Sequence, residues 1–290
     1  MEQRHAFLIM CHHDLPVLEA LLGQLDDSRN DLYIHADSKW KSFSEAQVAA
    51  LVKHARVVFI PRRSVTWGGH SQIALELDLL RAATKTPHSY YHVMSGSDLM
   101  LADQDTFHDF FAKNAGKEFI GTDPNSGNFP THMDRIRYYY PLQQLVGREE
   151  GLLQKMQSIL LLVQKKLKVD RLKKIGFTVQ KGANWCSITH GLAEYVLQQE
   201  KFIRKTFFSS VCADELFLQT VAYASPFAPN IVNDSLCYTD WLRGQPYTFH
   251  LEDMTELLTC GKLRARKFDS ATDGQVVQAI AENMHQNLEK

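Results

Sequence analysis

The chain has 290 residues, 44% of them hydrophobic, and a formal net charge of −1. The apolar share excludes a disordered or low-complexity chain, and the near-neutral charge argues against nucleic acid as a partner. The five cysteines, Cys11, Cys186, Cys212, Cys237 and Cys260, are odd in number and lack CxxC spacing, which points to free thiols in a reducing compartment rather than a disulfide framework or zinc knuckle.

The first apolar run, AFLIMC over Ala6–Cys11, reads as a strand buried on both faces. It is too short for a signal-peptide core or a membrane span, so a cytoplasmic protein is expected. A helix is predicted from Leu15, with Pro16 suited to its first turn. Strands follow over Asp31–Asp37 and Arg56–Pro61, then a helix over Gln72–Ala83, then strands over Ser89–Ser95 and Glu118–Asp123. Strands separated by helices imply an α/β fold whose mostly parallel sheet is covered on both faces. No repeat or linker divides the chain, so one domain over residues 1–290 is expected, although about 150 residues per domain is the usual allowance.

Such sheets bind ligands beyond the carboxyl ends of their strands. The polar ends here are CHHD after the first strand, HADSK after the second, SVTWGGHSQ after the third and SGSDLML after the fourth. Asp37 and Asp98 are the acids at those ends. Trp67 precedes two glycines that would let a ligand approach the backbone.

In the second half, GANWCSITH reads as a strand and GLAEYVLQQEKF as a helix. VCADELFLQTVAY, Val211–Tyr223, sets two adjacent carboxylates against a hydrocarbon run. Burying a carboxylate costs several kcal/mol unless it is paired or hydrogen-bonded. Capping the following helix accounts for Asp214. It does not account for Glu215, which is too long to be a favoured N-cap.

The ordered set HAFLIMCHHD, DLYIHADSK, WGGHSQ, SYYHVMSGSDLML, GANWCSITH, CADELFLQT, DWLRGQPYTF and LRARKFD resembles the core-2/I-branching β-1,6-N-acetylglucosaminyltransferases. This is glycosyltransferase family 14, which includes the peptide O-xylosyltransferases; compactness and lack of an anchor place the resemblance in its bacterial branch. It covers residues 5 to 270 and implies a GT-A-type fold. It also implies inverting transfer of a sugar, N-acetylglucosamine by this likeness, from a UDP-sugar to a saccharide hydroxyl without a divalent metal or other cofactor. Residues 1–125 would form the nucleotide-sugar half. Residues 126–290 would carry the acceptor side, the catalytic glutamate and the diphosphate-binding C-terminal part. Bacterial relatives would build surface glycans. The alternative is a non-catalytic nucleotide- or saccharide-binding module with the same fold.

Residue by residue, Glu215 falls on the family's general base. Lys267 matches the diphosphate-binding lysine, with Arg266 beside it and Arg243 as the second candidate cation. Asp37 matches a nucleotide-contacting aspartate, although a turn role before Ser38 serves it equally. Trp67 and Asp98 are further donor-side candidates, Asp98 either orienting the sugar or capping a turn. Trp241 matches the acceptor-side tryptophan and Trp185 is a second candidate. Arg135 and Arg137 could meet an acidic acceptor. Against a metal, Asp103-Gln104-Asp105 reads as a helix cap. His12, His13 and Asp14 lie in a strand-end run whose side chains alternate faces, so they do not read as a zinc site.

Residues 151–181 are lysine-rich, with apolar residues from Leu152 to Leu167 at three- and four-residue spacing. Two readings stand. One is a core-packing helix with a solvated basic side. The other is peripheral contact with an anionic membrane on the inner face of the plasma membrane, where a lipid-linked saccharide acceptor would be met.

Overall fold

The computed structural model describes residues 4–123, 130–176, 178–244 and 246–288. The expected division of the chain between residues 125 and 126 lies outside the described residues. Among the described residues ten strands run β1 His5–Cys11, β2 Asn30–Ala36, β3 Arg56–Phe59, β4 Tyr90–Ser95, β5 Leu99–Met100, β6 Glu118–Thr122, β7 Gly182–Thr189, β8 Ile231–Val232, β9 Cys237–Thr239 and β10 Arg264–Arg266. The helices of the first half are α1 Leu15–Leu25, α2 Glu45–Ala50, α3 His70–Ala83 and α4 Gln104–Lys113. Those of the second are α5 Pro130–Arg137, α6 Gln143–Val146, α7 Leu152–Lys166, α8 His190–Gln198, α9 Glu200–Phe207, α10 Phe217–Tyr223, α11 Met254–Thr259 and α12 Ser270–Leu288.

A seven-stranded sheet has the order β3-β2-β1-β4-β7-β6-β8. Only β7 is reversed, pairing antiparallel with β4 and β6, while the other neighbours are parallel. The fold is therefore α/β with a mostly parallel sheet, as the alternating strands and helices predict. Alternate residues of β1 feed opposite layers. Phe7 and Ile9 pack with α1 and α12, and Ala6 and Leu8 pack with α3, α8 and α10. This two-sided burial explains the continuous apolar run.

Asp14 caps α1 by accepting from Val17 N at 3.3 Å, with Pro16 in the first turn. Asp103 caps α4 in the same way through Thr106 N at 2.8 Å. The helix expected over 191–202 is interrupted at Gln199, between α8 and α9.

A second sheet, β5-β10-β9, lies at the carboxyl edge of the first. There β10 runs antiparallel to β5 and parallel to β9, so the C-terminal basic run lies directly beside the loop after β4. Phe268 is fully buried and its N–H donates to Ser97 O at 3.0 Å. The RARKFD segment is thus docked on the body.

Candidate active site

The carboxyl ends of β1, β2 and β4 open on one side of the sheet, and the start of β7 joins them because that strand is reversed. The register His92↔Ser187, continued, sets Ser95 level with Asn184. Gly96 lets the β4 end turn against β1, since a Cβ there would lie 2.5 Å from Cys11 Cβ.

Asp98 is fully buried in this corner. Its Oδ2 accepts from Ser95 N at 3.1 Å. The Arg266 Nε stands 3.3 Å from Oδ1, and Arg264, itself buried, is 3.9 Å from Oδ2. Burial raises the Asp98 pKa, opposed by Arg266 and then Arg264. Asp98 Oδ1, Arg266 Nε and Arg264 Nη2 make no well-aligned hydrogen bond among the described residues, so polar capacity remains in this corner. The Arg266 guanidinium lies 4.2 Å above the Trp185 ring. This contact takes Trp185 away from a free acceptor-stacking platform and makes it a wall of the basic corner.

Lys267 follows at once, held by main-chain bonds to Tyr247 and Phe249. It also acts on His12, whose pKa is pushed down to about 4 by burial first, then by His13 and Lys267, with Asp37 and Lys39 nearby. His12 is thus within electrostatic reach of Lys267, Asp37 and Lys39, and Lys39 Nζ stands 3.6 Å from Asp37. Asp37 itself builds a turn. Its oxygens accept from Lys39 N at 2.8 Å and Val65 N at 3.1 Å.

Three expected roles need correction. Arg243 offers no free charge, because its guanidinium donates to Asp240, to Asp253 at 2.6 Å and to Glu256 at 2.7 Å, and lies 4.3 Å over Tyr247. It braces the loop that carries Trp241, which is 60% exposed. The glycines after Trp67 serve the protein's own packing. Gly68 has φ +67°, and a Cβ there would meet Cys212 Sγ and Gln143 Nε2 at 3.1 Å. Arg137 pairs with Asp134 at 2.8 Å, so it too is committed internally.

The two carboxylates divide their roles. Residues Ala213–Glu215 form a short 3-10 turn ahead of α10 rather than the start of one helix. Asp214 does not cap it. Its side chain points inward, accepts from Gln72 Nε2 at 3.0 Å and faces the buried Glu76. Burial first, and Glu215 second, push Asp214 up to about 7. Glu76 is raised by burial and then by Asp214, and Asn184 is the polar group facing it. Glu215 is the more exposed of the two, its side chain 31% accessible. Arg135 Nη1 donates to its Oε2 at 2.6 Å and Lys181 Nζ stands 3.8 Å from the same oxygen.

Arg135, Lys181, Gln72 and Glu76 were not singled out by sequence as parts of this arrangement. Only Glu76 carried a signal, as an acid at the centre of the apolar face of QIALELDLL. Elsewhere, Asp105 accepts from Arg29 Nη2 at 2.8 Å, and Asp14 also accepts from Ser270 N and Oγ. Among the described residues no three His, Cys, Asp or Glu side chains converge in a way that could hold a metal.

Residues 5–259 match the family model of the Core-2/I-Branching enzymes. Two curated relatives, both named Xylosyltransferase sqv-6, come from Caenorhabditis elegans and Caenorhabditis briggsae. They are 24% identical over 284 residues and 23% over 282. Each alignment covers 85% of this chain but 32% of the relative, so the chain spans about a third of their length. Among solved structures, mouse Xyloside xylosyltransferase 1 in its apo form aligns with a TM-score of 0.39 and 9% identity, over 90% of this chain and 96% of that one.

Proposed function

The chain belongs to the Core-2/I-Branching enzyme family, a family of glycosyltransferases, and on that footing we propose that it is a metal-independent inverting transferase. In this reading it moves a sugar, N-acetylglucosamine first among the candidates, from a UDP-sugar to a saccharide hydroxyl in bacterial surface-glycan synthesis. The observation that carries the reading is the placement of Glu215. Its carboxylate is paired with Lys181, the residue before β7, and Arg266 lies over Trp185 of the same strand, next in sequence to Lys267, which supports a base and a basic corner near the start of β7.

In an inverting displacement the acceptor hydroxyl loses its proton as it attacks the anomeric carbon, and UDP leaves with its bonding pair. Glu215 takes the proton. Both of its cations address Oε2, which fixes the side chain and leaves Oε1 for the acceptor. A positioned base of this kind contributes roughly 10²- to 10⁴-fold. Lys267, with Arg266 behind it, stabilises the charge on the leaving diphosphate. Asp37 faces the nucleotide, Trp67 and Asp98 the donor, and Trp241 the acceptor sugar, which a lipid anchor would carry in the cytoplasm.

A UDP-release assay with a panel of UDP-sugars and saccharide acceptors, run with and without EDTA, tests the reading. Turnover that survives EDTA supports it. Turnover abolished by EDTA and restored by Mn²⁺ would contradict metal independence. Binding of UDP-sugars with no release under any pairing would favour the non-catalytic binding module.

A further inference from the structure

Helix α7 is turned inside out. Its contact with the body is made by polar side chains at four- and three-residue spacing, Gln157 and Gln164, with Leu161 between them half-buried. Gln157 accepts from Leu142 N at 3.1 Å and donates to Gln143 Oε1 at 2.9 Å. Gln164 accepts from Tyr139 N and donates to Tyr139 O, both at 2.8 Å. The helix's other apolar residues are mostly exposed. Leu152, Met156, Ile159, Leu160, Val163 and Leu167 form one stripe on the outer face, with Leu152 75%, Ile159 59% and Leu167 72% exposed. The core-packing reading of this segment is therefore overturned. A contiguous exposed apolar patch of this kind marks a contact surface.

The charge around the stripe says what covers it. Apart from Arg171, which is buried and donates to the Tyr138 and Thr206 carbonyls, residues 151–173 contain Lys155, Lys165, Lys166, Lys168 and Lys173 against one acid, Asp170, in a chain whose net charge is −1. Asp170 is already engaged, accepting from Leu172 N and standing 3.7 Å from Arg137. Lys155 and Lys166 are about three helical turns apart and flank the stripe on one side. The side chain of Lys174 and residue 177, within the basic segment, lie outside the described residues. Apolar side chains edged by lysines fit a surface with a hydrocarbon interior and anionic headgroups. No helix among the described residues is long and apolar enough to cross a membrane, so the contact is one of lying on the surface.

We propose that α7 is a docking helix for an anionic lipid bilayer, with the Leu152–Leu167 stripe entering the headgroup boundary and the flanking lysines meeting the headgroups. The same docking is wired to the site. Gln157 holds Gln143, and Gln143 Nε2 donates to Trp67 O at 3.2 Å, so a helix seated on the bilayer holds the Trp67 rim of the cleft near that surface. The lipid contact stands independently of the proposed transfer reaction.

Co-sedimentation of the full chain with vesicles of phosphatidylglycerol and phosphatidylcholine, against phosphatidylcholine alone, tests it. Binding is expected only with the anionic lipid and at low salt. It should fall about tenfold or more when Lys155, Lys165, Lys166 and Lys168 are changed to glutamine, and be lost in Ile159→Asp/Val163→Asp. Unchanged melting temperatures and UDP binding show that the variants are folded. UDP release with a soluble acceptor is read separately, so a failed transfer reaction leaves the lipid result standing. No sedimentation with anionic vesicles at low salt would overturn the proposal. So would a lipid-independent dimer, seen by analytical ultracentrifugation, that Val163→Asp dissociates; it would make the stripe a contact between two copies.

Discussion

Gln72 joins Asp214 to Gly68: its Nε2 donates to Asp214 Oδ2 at 3.0 Å while its Oε1 accepts from Gly68 N. One side chain of α3 thus ties the Trp67 rim to the turn that carries Glu215. Cys212 N closes the same link by donating to Gly68 O at 3.0 Å. Gln72→Ala leaves Asp214 without its donor and Gly68 N without its acceptor. A loss of about 1–3 kcal/mol in stability is expected, read as the urea midpoint, with a larger proportional loss in turnover than in UDP binding. An unchanged turnover would show that the link does not position Glu215.

Asp214→Asn should remove a pH slope. The native side chain holds its proton up to about 7 in the folded chain but releases it near 3.8 when unfolded. Between those values the folded state carries the extra proton, so the stability this carboxyl contributes is lost as pH rises from about 4 to 7. The asparagine variant lacks this slope. Its stability relative to the native chain should therefore improve with rising pH by up to about 1.4 kcal/mol per unit. Parallel stability curves across that window would contradict the assignment.

Buried histidines act with the opposite sign. Burial pushes His5 down to about 3 and His35 and His108 to about 4, whereas the unfolded chain titrates near 6.5. Below about 6.5 the unfolded state takes up protons that the folded state refuses, so the folded chain should weaken as pH falls towards 4. Urea titrations of the His108→Gln variant should show a shallower acid slope than the native chain. The same slope in both would contradict the account.

Asp98→Ala should be costly for the fold as well as the site. It leaves Arg264, 3% exposed, with no carboxylate in contact. Removing one partner of a buried pair typically costs about 3–5 kcal/mol. Thermal melting would show it, and a variant as stable as the native chain would mean that the Arg264 carbonyl bond to Val93, at 2.9 Å, suffices.

Much of the fold was legible because apolar periodicity fixes elements whose faces are buried. The β1, β2 and β4 runs are apolar on both faces, and Asp103 has the chemistry of a cap. The α7 segment was periodic too, but periodicity gives a stripe and not its direction; only the Gln157 and Gln164 bonds show that it faces outward. At the site, Lys267 and Glu215 stood out through motif resemblance. Arg243 could not be resolved, because its three carboxylate partners include Asp253 and Glu256 from a later turn. Arg135 and Lys181 reach Glu215 from distant elements, and no spacing in the sequence records that meeting.

Lys267→Ala should weaken UDP binding about tenfold, since charge-assisted hydrogen bonds are worth about 1.5–3 kcal/mol. Isothermal titration with UDP reads this directly. An unchanged affinity would shift the diphosphate contact to Arg266 or to the His12 side of the opening.

The central claim is that Glu215, and not its buried neighbour Asp214, removes the acceptor proton. Single-turnover transfer from a bound UDP-sugar, compared between Glu215→Gln and Asp214→Asn, tests it most directly. The account predicts that Glu215→Gln retains donor binding and loses roughly 10²- to 10⁴-fold in the transfer step, while Asp214→Asn keeps most of it. Near-native transfer in Glu215→Gln would contradict the account.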